Sequence, residues 1–275
     1  MSDWGADWTK AAFAPNANPS FADLLKATEP AALPPAQASH GPAAPALPQA
    51  TTILSLTYAD GVVMAGDRRA TEGYQIADRH IVKVFPADNF SAVAIAGVAG
   101  LAMDMVRLFQ TELEHYEKVE GDTLSLEGKS NKLAQMIKQN FPMAMQGLVV
   151  VPLFAGFDVR RNVGRIFRYD AVGGRYEDSS YHATGSGGKD ARSALRTGWR
   201  RGMSKDAAIT AAVEALTVAS EEDVATGGPD LARGIFPVVA TVTAQGYEEI
   251  TDDQLRPIVA DVISRIAHTG EETPA

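Results

Sequence analysis

The 275-residue chain contains no cysteine. That absence removes disulfides, thiolate nucleophiles and thiolate metal sites together, and it fits a reducing compartment. Long apolar runs are missing too. The longest, residues 147–157 (GLVVVPLFAGF), is too short to cross a bilayer and carries Pro152 in its middle. The opening MSDWGADWTK is acidic and has no apolar stretch of export-signal length. Positive charge is in deficit: the formal net charge is −9, and Lys and Arg are scattered without a basic face. Nucleic acid and membrane are therefore not expected partners, and the expected location is cytoplasmic.

Several catalytic signatures are absent as well. There is no GxSxG elbow, and His40, His80, His115, His182 and His268 form neither HExxH nor any metal-ligand spacing, so no metal or cofactor is expected. TGSGGKD, residues 184–190, departs from a phosphate-binding loop at Ala183, where its first Gly belongs, and at Asp190, where Ser or Thr should follow the lysine. Asn89-Phe90-Ser91 matches a glycosylation sequon and, without an export route, reads as a hairpin turn.

What the chain does have is a seam. Eight of its fifteen prolines precede Thr51, in a segment ending GPAAPALPQA, whereas TTILSLTYADGVVMAGDRRAT from Thr51 is strand-like and punctuated by turns. The proline density predicts an extended, mobile leader over residues 1–50. Within it Ser20 to Glu29 (SFADLLKATE) can form a capped helical turn stopped by Pro30. That island is either a chance turn in a disordered tail or a helix that docks a precursor on a partner surface. A cut between Ala50 and Thr51 would leave Thr51 with a free α-amine. A threonine hydroxyl is a poor nucleophile without an adjacent base, and an N-terminal amine on the same residue can be that base.

From Thr51 to Ala275 the 45% hydrophobic composition leaves ample material for a core. Alternating apolar residues predict a hairpin over Thr52–Tyr58 and Val62–Ala65, and a second with arms Ile81–Phe85 and Phe90–Ala96 around a Pro86–Asn89 turn. A helix starts at Leu101 and another covers Lys132–Gln139. Strands follow over Leu148–Asp158, Gly164–Tyr169 and Tyr176–Thr184, then helices over Asp190–Gly198 and Ser204–Ser220. A final strand pair precedes a helix opened by the capping box Thr251/Gln254. This grouping predicts two packed antiparallel sheets between helical layers, not a parallel winding.

Three features could carry chemistry. Asp67 ends the second strand, and Lys83 sits among apolar neighbours in IVKVF. Buried, Lys83 would need a partner such as Asp67; read from local sequence alone it is a lysine snorkelling from an edge strand. The glycines of GVAG, Gly97 to Gly100, join a strand to a helix and could aim amides at an anion, although turn glycines usually do only structural work.

Taken in order, TTI at the seam, GDRRAT, the strand lysine, AIAGVAG, ATGSGG and EEDVATGGPDLARG resemble the β-subunits of the proteasome core particle, most closely the actinobacterial ones. These are N-terminal nucleophile (Ntn) hydrolases, and the similarity runs from Thr51 to about Ala267, with a leader like the propeptides of that branch. The resemblance implies an α+β, four-layer αββα sandwich of two antiparallel sheets, with residues 1–50 a propeptide removed by autolysis and 51–275 the catalytic domain. It implies a threonine endopeptidase in which Thr51 is the nucleophile, its α-amine takes the proton, Lys83 held by Asp67 keeps positive charge nearby, and the Gly97 amide serves the oxyanion. Ser186 and Asp223, with Thr226, match the polar network around the terminal amine.

By the same resemblance, substrate backbone pairs with the edge at Thr71 and Gly97. Ala70, Ile81, Ile95, Ala99 and Met103 line a pocket favouring hydrophobic residues before the cut. Implied partners are further copies in seven-membered rings, α-subunits, an ATP-driven unfoldase and unfolded protein substrates. Ala50 departs from the glycine that usually precedes the nucleophile, and its Cβ would slow the tight turn that self-cleavage needs. The alternative implied by the same family is a catalytically silent ring subunit; such relatives tend to lack the Thr or the Lys, and this chain has both.

Overall fold

In the computed structural model, residues 51–73 and 75–269 are described. The leader, including the Ser20–Glu29 island and Ala50, lies outside the described residues.

One sheet runs in the order β10 (Tyr181–Gly185), β1 (Thr52–Tyr58), β2 (Gly61–Gly66), β11 (Val238–Thr243), β12 (Gly246–Glu249). The other runs β5 (Val84–Asp88), β6 (Ser91–Gly97), β7 (Val150–Asp158), β8 (Val163–Tyr169), β9 (Arg175–Asp178). Every pairing is antiparallel. The period of two that marks these segments in sequence sorts their side chains into layers. Ile53 of β1, Val62 and Met64 of β2 and Ala240 of β11 meet Ala92, Ala94, Leu153 and Ile166 between the sheets. Their neighbours Leu54, Val63 and Val239 face outward instead.

The outward faces are covered by helices. On the first sheet lie α4 (Gly188–Gly198), α5 (Lys205–Glu222) and α6 (Asp252–Thr269), supplying Leu195, Leu216, Leu255 and Val259 to the core. On the second lie α1 (Ala99–Glu120) and α2 (Leu126–Gln139), followed by the single turn α3 (Phe141–Ala144). Phe109 of α1 meets the Phe154 ring edge-on, centroids 5.8 Å apart, and fixes that helix on β7. The result is the four-layer αββα sandwich expected from the sequence.

Local signals place the helix ends well. Ser204 Oγ accepts from the Ala207 amide, and the Thr251 and Gln254 side chains each accept from the other's amide, the predicted capping box. The departures are instructive. The second helix begins at Leu126, capped by Ser125, six residues before the expected Lys132, because its first turn packs through Leu126 and Lys129 rather than an apolar stripe. The expected strand Tyr176–Thr184 is two strands, β9 and β10, in different sheets. The second hairpin turns at Asn89-Phe90 rather than Pro86–Asn89, since Pro86 to Asp88 stay in β5 through a bulge. A small ribbon of β3 (Ala70–Glu72) and β4 (Gln75–Asp78) was not anticipated.

Candidate active site

Thr51 stands immediately before β1 and is 5% exposed. Its carbonyl accepts from the Ser186 amide at 2.9 Å and lies 3.5 Å from Ser186 Oγ. That close approach requires glycine next door: Gly185 has φ +100°, and a Cβ there would overlap the Thr51 carbonyl.

Asp67 leaves β2 fully buried, and four donors converge on its carboxylate. Oδ1 accepts from the Thr52 amide at 2.8 Å and from Lys83 Nζ at 2.5 Å. Oδ2 accepts from the amides of Arg69 and Gly227, both at 2.9 Å. Lys83 Nζ also donates to the Arg69 carbonyl at 2.7 Å. Lys83 is therefore no snorkelling surface residue, as local sequence suggested: it precedes β5, is 4% exposed and is ion-paired. Burial pulls its pKa below the ordinary lysine value, with the Asp67 carboxylate opposing the shift.

A second polar group approaches Thr51 from the α5 side. Thr226 Oγ1 donates to Asp223 Oδ2 at 2.6 Å and lies 2.6 Å from Thr52 Oγ1, which accepts from the Gly187 amide at 2.9 Å. With the Thr226 proton directed at Asp223, Thr52 must be the donor to Thr226, so the proton order runs Gly187, Thr52, Thr226, Asp223. Burial pushes the Asp223 pKa up. Hydrogen bonds from Ser186 and Thr226, the Ala225 amide and the nearby Arg69 charge outweigh that and hold it below the usual carboxylate value. Arg69 spans the two groups by donating to the Val224 carbonyl at 2.8 Å, which holds the loop after α5.

Between the ribbon, the β5–β6 hairpin and the start of α1 lies a small open cavity of about 40 Å³. Ala70, Ile81, Ile95, Ala99 and Met103, the five residues assigned to the pocket, all line it, as do Thr51, Lys83 and Gly97. Gly97 ends β6 with φ +124°, where a Cβ would overlap the Val149 carbonyl. Thr71 stands apart, half-buried on β3 opposite Ile76. Ser186 and Asp223 are not among the lining residues.

Sequence reasoning missed Val82, Phe85 and Ala102 on the pocket wall and Thr52 in the hydroxyl chain. The doubled threonine at the seam was the available signal for Thr52; nothing local marks the other three. The arrangement offers a hydroxyl-bearing residue at the edge of an apolar cavity beside a buried cation, which suits attack on a carbonyl flanked by an apolar side chain.

The family model described as "Proteasome subunit" matches residues 48–230. Among curated proteins, the chain is 59% identical over 224 residues to "Proteasome subunit beta" of Acidimicrobium ferrooxidans, covering 82% of each chain. It is 52% identical over 257 residues to the protein of the same name from Streptomyces griseus, covering 93% of this chain and 91% of that one.

Proposed function

The chain belongs to the proteasome subunit family, and we propose that it is the threonine endopeptidase subunit of a core particle, a β-subunit active through Thr51. The observation that carries this reading is that Thr51 shares one apolar cavity with Lys83, and that Lys83 is buried on Asp67.

Activation begins at the Ala50–Thr51 bond. Thr51 Oγ1 attacks the Ala50 carbonyl, the C–N bond breaks with its proton going to the departing amine, and water cleaves the resulting ester to free the leader and restore the hydroxyl. The liberated α-amine, directly or through a water, then takes the Oγ1 proton as the hydroxyl attacks a substrate carbonyl. The oxyanion is met by the Gly97 amide; as it collapses, the substrate C–N bond breaks and the ammonium gives its proton to the departing amine. Water, losing a proton to the same α-amine, then cleaves the ester, and that proton returns to Oγ1. Positive charge at Lys83 lowers the amine's proton affinity, and Ser186, Thr226 and Asp223 orient the terminal residue. Substrate backbone aligns along Thr71 and Gly97. The pocket accepts hydrophobic side chains with weak discrimination among them, because a single methylene changes such binding only modestly.

The particle this reading requires is cytoplasmic: seven-membered rings of this chain stacked between α-subunit rings, fed with unfolded protein by an ATP-driven unfoldase. Among the described residues no helix is long and apolar enough to cross a membrane. The test is Thr51→Ala in the assembled particle. Wild type loses a mass equal to Met1–Ala50 and hydrolyses peptides; the variant keeps its leader and hydrolyses none. Peptide hydrolysis surviving Thr51→Ala would overturn the assignment.

A further inference from the structure

One wall of the cavity has little regular structure to support it. Residues 80–83 belong to no helix or strand, yet Ile81, Val82 and Lys83 all face the pocket. At its C-terminal end this segment is held by the Ile95 amide, which donates to the Lys83 carbonyl at 3.0 Å. Toward its start, the Ile81 amide donates to the carbonyl of Arg68 at 3.2 Å.

Arg68 itself lies in residues 67–69, another stretch outside regular structure. Its neighbours turn inward to the Asp67–Lys83 pair, whereas its own side chain turns away: Nε donates at 2.8 Å to the carbonyl of Phe236, just before β11. Phe236 is 1% exposed in the outer core of the first sheet, and the Arg256 guanidinium of α6 sits 5.1 Å from its ring centroid. The Arg68 side chain therefore ties the wall-bearing carbonyl to a rigid part of the fold. Asp67, by contrast, has its own amide bonded to the Thr52 carbonyl at 3.1 Å and four donors on its carboxylate, so it does not depend on Arg68 for its position.

Resting on the peptidase reading above, we propose that Arg68 is a specificity-positioning residue: its hydrogen bond to Phe236 holds the Ile81 wall and so sets how well the pocket selects a bulky apolar side chain. Arg68 touches neither substrate nor nucleophile in this scheme. Its loss loosens the wall and erodes selectivity, while the groups around Thr51 stay in place.

The test uses the full chain in its assembled particle and two fluorogenic peptides identical except for leucine or alanine before the cut. Arg68→Met and Arg68→Leu both remove the bond, since neither side chain carries a donor. Each is expected to lower the leucine-over-alanine ratio of kcat/KM by about 2- to 10-fold, the range one hydrogen bond commands, mainly through KM for the leucine peptide. Because that ratio is independent of how much enzyme is active, a general folding defect does not move it. Arg68→Lys, which keeps a donor, restores part of the ratio. Hydrogen exchange at the Ile81 amide accelerates in both bond-removing variants. An unchanged ratio in whichever variant assembles, or unchanged exchange at Ile81, overturns the inference. A wild-type particle inactive on both peptides removes the peptidase reading and this one with it, whereas an active wild type with an unmoved variant ratio removes this one alone.

Discussion

The Oγ1 atoms of Thr52 and Thr226 lie 2.6 Å apart, both residues 0% exposed, although 174 positions separate them in sequence. Through this contact the start of β1 is joined to the loop after α5, and Asp223 is joined to the residue following Thr51.

Replacing Thr226 by Val keeps the shape and removes the hydroxyl, leaving the Thr52 proton and one Asp223 oxygen without that partner. A buried polar group left unmatched costs about 1–3 kcal/mol. Thr226→Val is expected to lose stability of that order in urea unfolding, and Thr226→Ser to lose less than half as much. Equal losses in the two variants would show that the methyl group, not the hydroxyl, matters at this position.

The Lys83–Asp67 pair invites a double-mutant cycle. Removing one partner of a buried pair costs about 3–5 kcal/mol, because the other charge is left without its counterpart. Lys83→Met alone is expected to be destabilised by that amount, and Asp67→Asn/Lys83→Met to recover part of it. Additive single effects in the unfolding free energies would mean that the two side chains do not couple.

Acid sensitivity is expected from His182 on β10. Burial pulls its pKa down to about 4 from 6.5, with the charges of Arg192 and Arg168 acting in the same direction. The Asp178 carboxylate lies 3.2 Å from Nδ1 and is also engaged by Arg168 at 3.1 Å. Since the folded form binds its proton later than the unfolded one, the contribution is fully present above about pH 6.5 and is lost as pH falls toward about 4. His182→Gln should flatten the stability profile in that window and leave it unchanged near pH 8. A profile identical to wild type between pH 4 and 6.5 would refute the assignment.

The parts legible in sequence are those that neighbouring residues settle among themselves. Strand alternation, the Ser204 cap and the Thr251/Gln254 box each span a few positions. Lys83 illustrates the opposite case: its local text, IVKVF, suits an exposed edge equally well, and only the arrival of β2 with Asp67 decides for burial. Arg165 was unremarked for the same reason. Its neighbours in β8 do not mark it as buried, yet it is 5% exposed between Asp158 at 2.9 Å and Glu177 at 2.7 Å.

By itself the amino-acid order determined most of the strands and helices, the sandwich, the family and the threonine at the seam, because periodicity, turns and motifs are written in adjacent positions. The tertiary structure alone decided that the strand expected over Tyr176–Thr184 breaks between two sheets, and that Phe85, Ala102 and Val82 join Ala70 around one cavity. Cavity walls and ion pairs arise where separate layers meet, and the free energy of that meeting depends on partners that no local stretch of chain contains.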